Sequence, residues 1–162
     1  MRLSNRNKHS FYSFTNSFIY SLLLVGIILY IANAKRFQIF DGHYSVFLIV
    51  VPILIIIIHQ RRGRQIFEYD SDGEALNFKN RHVIPAFSRV SNDEFPKYKL
   101  VKFDIVNFII LKRLYIVVDS KKSKNTTLVY EISYLNKKEI QDLRTSLRKV
   151  VKNNQENKTS IQ

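Results

Sequence analysis

Ser17-Phe18-Ile19-Tyr20-Ser21-Leu22-Leu23-Leu24-Val25-Gly26-Ile27-Ile28-Leu29-Tyr30-Ile31-Ala32-Asn33-Ala34 contains no charged residue, and a short way on Tyr44 to Ile58 is again without one. As a helix the first run reaches about 27 Å, close to the hydrocarbon core of a bilayer at about 30 Å. Tyr20 and Tyr30 lie near its ends, where amphipathic rings suit the headgroup region. The second run, Tyr44 to Ile58, in which Val46 to Val51 and Ile53 to Ile58 do most of the insertion, is more hydrophobic but reaches only about 22 Å. His59, Gln60 and the stem of Arg61 complete that span by snorkelling or by local thinning of the bilayer, with Asp41 and His43 at the opposite interface. Pro52 removes one helical hydrogen bond in mid-run, which predicts a kink.

Two transmembrane helices, 17–34 and 44–60, are therefore expected, joined as a hairpin over 17–60 behind an N-terminal segment 1–16. Arg2, Arg6 and Lys8 precede the first; Arg61, Arg62 and Arg64 follow the second; the connection carries Lys35 and Arg36 against Asp41. Basic flanks stay on the cytoplasmic side, so the expectation is an integral, multi-pass protein of the cell or inner membrane with both termini cytoplasmic. A basic start, an apolar core and Ala32-Asn33-Ala34 also imitate a signal peptide. Lys35 and Arg36 directly behind that site, the length of the core and the second run argue against cleavage, and the remainder stays in the cytoplasm either way.

The chain has 162 residues, and those behind the spans suffice for one small domain. It has no cysteine, which excludes disulfides, thiolate catalysis and Cys-ligated metals. The net charge is +13; up to Gln60 there are five Lys or Arg and one acid, leaving twenty-one against twelve, a net of +9, behind the spans. A basic domain tied to a bilayer is drawn to anionic headgroups, each surface cation contributing about 1 kcal/mol. Nucleic acid is the rival explanation, but no helix-turn-helix, zinc-finger or RNP-type pattern accompanies the charge.

From Arg61 to Lys152 the pattern is that of one β-rich domain. Ile66, Phe67 and Tyr69 lead through Asp70-Ser71-Asp72-Gly73 to Ala75, Leu76 and Phe78, a hairpin in which Asp72-Gly73 is expected to supply the positive φ angles of a tight turn. The same run resembles part of a calcium loop but lacks the further ligands. His82 to Phe87 is expected as a short strand and Ser88 to Pro96 as a loop. Val101, Phe103 and Ile105 alternate with Lys102 and Asp104 as a half-buried strand. Phe108 to Leu111 and Leu114 to Val118 then run on almost continuously apolar, and the pattern leaves open whether Asn107 or Lys112-Arg113 marks a turn, a bulge or an exposed edge. Asp119 to Asn125 reads as a polar turn and Leu128 to Ile132 as a strand. Asn136 and Glu139 form a capping box for a closing helix 136–152, whose apolar face is Ile140, Leu143, Leu147, Val150 and Val151. Residues 153–162 read as a flexible tail.

Antiparallel strands and a C-terminal amphipathic helix behind a two-helix membrane hairpin resemble the bacterial membrane proteins that carry a pleckstrin-homology-like (PH-like) domain. The run from Phe95-Pro96-Lys97-Tyr98 through Tyr134-Leu135-Asn136-Lys137-Lys138-Glu139 is similar to the later strands and closing helix of such domains. The expected fold class is thus a membrane α-helical hairpin plus an α+β domain, a small antiparallel sheet or barrel closed by the helix. What the resemblance implies is docking of proteins or lipid headgroups rather than catalysis. Asp70 and Asp72 stand in the first hairpin turn, where lipid-binding members present basic residues, so inositide specificity does not carry over.

The reading that follows is a membrane-tethered, non-enzymatic binding or accessory module with a basic cytoplasmic domain. Candidate contacts to anionic lipid are Arg61, Arg62 and Arg64, with Lys121, Lys122 and Lys124 as a second patch. The partners expected are the bilayer and a membrane protein or a second copy, not nucleic acid. The alternative is a small subunit of a transporter or channel, although neither span carries a charge to define a pathway. His9, His43, His59 and His82 are scattered, no pair has metal-ligand spacing, and no phosphate loop or nucleophile elbow occurs; no catalytic residue, cofactor or metal is assigned.

Overall fold

Apolar side chains cover the first helix on every side. In the computed structural model, which describes residues 1–37, 42–84, 90–120 and 125–159, α1 (His9–Ala32) exposes Phe11, Phe14, Phe18, Leu24, Ile28 and Ile31 and buries Tyr12, Asn16 and Gly26. It begins before Ser17 because its polar residues cost it little. Thr15 Oγ1 donates to the Phe11 carbonyl at 2.9 Å and Ser21 Oγ to that of Phe18 at 2.8 Å, so these hydroxyls need no water. A helix apolar all round suits lipid or the middle of a large core. The helical run Arg6–Lys35 is the one helix among the described residues long and apolar enough to cross a membrane.

The second expected span is met only in part. A short α2 (Gly42–Ser45) stops at Val46, and α3 (Phe47–Arg61) has 15 residues, apolar but below spanning length by the same measure. Pro52 lies inside α3 and lacks the N–H that would bond the Leu48 carbonyl. That carbonyl is not left to itself: a Cβ at Gly26 would run into its oxygen, and the Pro52 ring lies 3.5 Å from the same point. The only residue without a side chain in α1 therefore sits where α3 exposes backbone, a close approach of the kind small residues permit between helices. Nearer the other end, the His59 ring and Asn16 Oδ1 are 2.6 Å apart. Ser10–Arg62 forms one compact unit.

The other unit comprises Met1–His9 together with Gly63–Gln162. It holds two antiparallel sheets and a long helix. One sheet has the order β1 (Arg2–Ser4), β2 (Ile66–Asp70), β3 (Ala75–Arg81), β4 (Ser91–Pro96); the other has β5 (Leu100–Asn107), β6 (Lys112–Asp119), β7 (Asn125–Glu131). Neither sheet is closed on itself. Strand β1 is an element the apolar pattern does not announce. Three residues with one apolar side chain carry no period, yet Leu3 is buried opposite Tyr69 and Arg2 Nε bonds Asp70 at 2.8 Å.

One loop expectation and one strand expectation are corrected. Ser91–Pro96 is a strand, paired from Ala75↔Pro96 to Asn80↔Ser91. Its buried Phe95 follows two inward positions that are polar, Asp93 accepting the Tyr130 hydroxyl at 2.9 Å and the Ser91 hydroxyl at 3.2 Å, which hides the alternation. His82 to Ile84 are not strand, and Pro85 to Phe87 lie outside the described residues. The β2–β3 turn is present, but the glycine with positive φ is Gly63 at 83°, not Gly73. The turn is held instead by Asp70, whose carboxylate accepts the Asp72 N–H at 2.9 Å.

The core lies between the sheets and α4 (Lys137–Thr159). Phe67, Tyr69, Phe78, Phe95 and Tyr130 form its aromatic part, with Phe78 stacked on Tyr130 at 4.9 Å between centroids. Leu114, Ile116 and Val118 face inward from β6; Phe103 and Ile105 face it from β5, while Val101 falls on a bulge between Leu100 and Lys102. The capping box forms in both directions, Glu139 N–H to Asn136 Oδ1 and Asn136 N–H to Glu139 Oε2, each 2.7 Å. Leu143 and Leu147 are fully buried and Ile140, Val150 and Val151 pack beside them. The helix runs past Lys152 because Asn154 reaches the carbonyls of Lys97 and Leu100 at 2.7 and 2.9 Å, so the expected tail is helical to Thr159.

Candidate functional site

One end of the β-rich unit gathers a buried polar seam under an exposed apolar tip. The seam begins at Gly63, directly behind the last turn of α3. Its φ of 83° is open to glycine, and a Cβ there would meet the Glu131 carboxyl at 2.7 Å. The same carboxylate accepts the Arg64 N–H at 2.8 Å. Asn80, fully buried, joins the two sheets: its amide donates to the carbonyls of Ile66 at 3.1 Å and Glu131 at 2.9 Å, and its Oδ1 accepts the Glu131 N–H at 3.0 Å. Asn5, also fully buried, donates to the Gln65 carbonyl and accepts the Phe67 N–H, both at 2.8 Å. Gln65 Oε1 in turn holds the His82 ring and the Val83 N–H, each at 3.1 Å. Each of these amides bonds backbone N–H or C=O groups of neighbouring segments with its side chain.

Above this seam β5 and β6 turn through Phe108-Ile109-Ile110-Leu111. The Phe108 N–H donates to the Leu111 carbonyl at 2.7 Å, which closes the turn on itself. Its neck is tied to the chain behind β7, Ile132 N–H to the Lys112 carbonyl at 2.8 Å and Lys112 N–H to Ser133 Oγ at 2.9 Å. Arg113 stands opposite Glu131 in the β6–β7 register, and its guanidinium lies 6.0 Å from the centre of the Phe108 ring, within reach of a cation–π contact. Phe108 is half-exposed, Ile110 nearly so, and Ile109 is wholly exposed. Elsewhere in this unit exposed large apolar residues such as Val90, Tyr98 and Val129 stand singly among the described residues.

Burial lowers the pKa of His82; Glu131 pulls it back and Arg64 adds to the lowering. Burial raises the Tyr130 phenol, and Asp93 raises it further; burial raises Tyr69 against the bonds from Ser146 and Ser71. At the far turn the Asp72 N–H holds the Asp70 carboxyl below its usual range against the opposing effect of burial, with Arg2 adding to the lowering. Tyr69 and Asp70 line a common open cleft with Arg2, Glu68, Lys79 and Glu94. An open cleft beside α4, lined among others by Ser71, Glu74, Tyr98, Asp142 and Asn153, mixes charges of both signs. Among the described residues no three of His, Asp and Glu are grouped to hold a metal ion.

Of the cations singled out in the sequence, Arg61 and Arg62 are exposed at the end of α3 and Arg64 is half-buried beside the seam. Lys121, Lys122 and Lys124 lie outside the described residues. The apolar tip was hidden by an apolar block. Leu100 to Asp119 is too long for one strand, commonly about 5–6 residues, and Lys112-Arg113 breaks its apolar run, so a turn at 108–111 is the signal that could have found it. No family model, curated protein or solved structure matches the chain.

Proposed function

We propose that the protein is a membrane-tethered, non-enzymatic docking module whose two apolar helices form a transmembrane hairpin inserted between β1 and β2 of a PH-like domain. The observation that carries this reading is the pairing of β1 with β2. The chain before α1 and the chain after α3 belong to one compact unit, so if α1 crosses a bilayer the chain must cross back before Gly63. The short α3 is then the returning span, completed by Val46 on one side and by the stem of Arg62 on the other. The exposure of apolar residues around both helices supports the same reading: α1 and α3 leave Phe14, Phe18, Leu24, Ile28, Ile53 and Leu54 uncovered, a surface that suits lipid rather than water.

From β2 onward the β-rich unit has antiparallel strands followed by a closing helix, an order that supports the resemblance to PH-like domains, with β1 ahead of the helices as an addition to it. On this reading the basic flanks keep it in the cytoplasm, and Arg61, Arg62 and Arg64 meet anionic headgroups where the chain leaves the bilayer. The absence of charge within α1 and within α3 as far as Ile58 speaks for an anchor over a transport pathway.

Sided labelling tests the proposal. The chain has no cysteine of its own, so Lys35→Cys and Asn125→Cys can each be probed in intact cells with an impermeant maleimide. Lys35→Cys is expected to react from outside and Asn125→Cys only after permeabilisation. Reaction of both from the same side would overturn the hairpin.

A further inference from the structure

The tip Phe108-Ile109-Ile110-Leu111 inverts the chemistry of an ordinary turn, where Gly, Asn, Asp, Ser and Pro prevail. We infer that it is a membrane-insertion wedge, which enters the interfacial layer of the bilayer while Lys112 and Arg113 stay at anionic headgroups. This rests on the membrane reading above and adds to it a second, non-helical attachment.

Position, backbone and charge carry the inference. The tip and the points where the chain leaves for α1 and returns from α3 share one end of the unit: Glu131 bonds the Arg64 N–H, faces Arg113 across the ladder, and is followed by Ile132 on the neck of the tip. Asn5 ties the segment leading to α1 to Gln65 at that same end. The neck of the tip is internally bonded, which lowers the cost of bringing its backbone toward lipid. Here the Phe108 N–H and Leu111 carbonyl bond each other, and both backbone polar groups of Lys112 are taken by Ser133 and Ile132. The Arg113 guanidinium beside the Phe108 ring places a cation next to the apolar tip, the pairing found at membrane interfaces. Two copies meeting tip to tip would oppose Lys112 and Arg113 of each, in a chain of net charge +13. An anionic bilayer is the occupant that this charge favours.

Full-length single-cysteine variants at Ile109, Leu24 and Asn125, each carrying an environment-sensitive fluorophore, test the wedge in vesicles of phosphatidylcholine and phosphatidylglycerol that contain spin-labelled lipid. The Ile109 label is expected to shift to the blue and lose most of its intensity to a quencher near the headgroups, less to one at mid-chain. The Leu24 label is expected to respond to the mid-chain quencher and the Asn125 label to neither. If Leu24 responds and Ile109 behaves like Asn125, the wedge is wrong and the anchor stands. If Leu24 also fails to respond, the membrane reading falls and takes the wedge with it. An Ile109 label shielded from both lipid quenchers and aqueous iodide means that protein covers the tip, which likewise overturns the wedge. With the label at Ile110, adding Ile109→Asp is expected to reduce headgroup quenching to the Asn125 level; unchanged quenching would contradict insertion.

Discussion

Two hairpin turns of the same unit are built on opposite chemistry. The β2–β3 turn, Ser71-Asp72-Gly73-Glu74, is polar and held by side chains: Asp70 takes the Asp72 N–H, and Arg2 and the Met1 amine pair with Asp70 and Asp72. The β5–β6 turn is apolar, closed by its own backbone, and stands on the seam of Asn5, Gln65, Asn80 and Glu131. The first turn spends its side chains on the fold. The second leaves them outside it, and stability there comes from the amides below.

That contrast can be broken most severely at Asn80. Asn80→Ala strands the Glu131 N–H and carbonyl and the Ile66 carbonyl in a buried place, and the β-rich unit should lose about 3 kcal/mol of stability. Thermal unfolding in detergent reads this, with Asn77→Ala on the same strand as the milder control; equal losses would mean that the seam does not join the sheets. Gly63→Ala comes next, at about 1–2 kcal/mol, since a side chain there meets both an unfavourable φ and the Glu131 carboxyl. Hydrogen exchange at Arg64 should quicken in this variant, and unchanged exchange would show that Glu131 does not need its present position.

Acid should act on the two ends in separate windows. His82 is held below its ordinary 6.5 in the folded chain, so the unfolded chain takes up the proton first. Its contribution is whole above 6.5 and is lost as pH falls from there to the folded value. Asp70 is held below 3.8, so its contribution persists above that value and is lost only as pH falls through the lower folded one. Unfolding followed against pH should therefore lose its upper step in His82→Gln and its lower step in Asp70→Asn; if either variant removes the other's step, the assignment is wrong. The smallest effect is expected at the apolar tip. Ile109→Asp should leave detergent stability within about 0.5 kcal/mol of the parent, and a larger loss would make the tip part of the core.

How far these features were legible follows from periodicity. The closing helix was readable because Leu143, Leu147 and Val150 recur at helical spacing behind a capping pair, and β5 because Phe103 and Ile105 alternate with Lys102 and Asp104. Strand β4 was not, since Asp93 and Ser91 face inward to serve Tyr130 and each other. Strand β1 is too short for any period, and its one clue is Arg2 opposite Asp70, a pairing visible only once the register is known. The seam escaped because buried Asn and Gln look like surface residues until their partners are seen. The cations Arg61, Arg62 and Arg64 were found by charge alone, whereas the apolar tip beside Arg113 was absorbed into a run of strand-like residues.

The central claim is that the segment ahead of the first helix and the segment behind the second fold as one sheet, so that the helices between them go out and come back. Ser4 and Glu68 are opposite one another in that sheet. Oxidation of the full-length Ser4→Cys/Glu68→Cys protein in native membranes should produce an intramolecular disulfide in most molecules, with Ser4→Cys/Asn125→Cys remaining reduced. Failure of the first pair to close while the protein stays membrane-bound and folded, or equal closure of both pairs, would contradict the account.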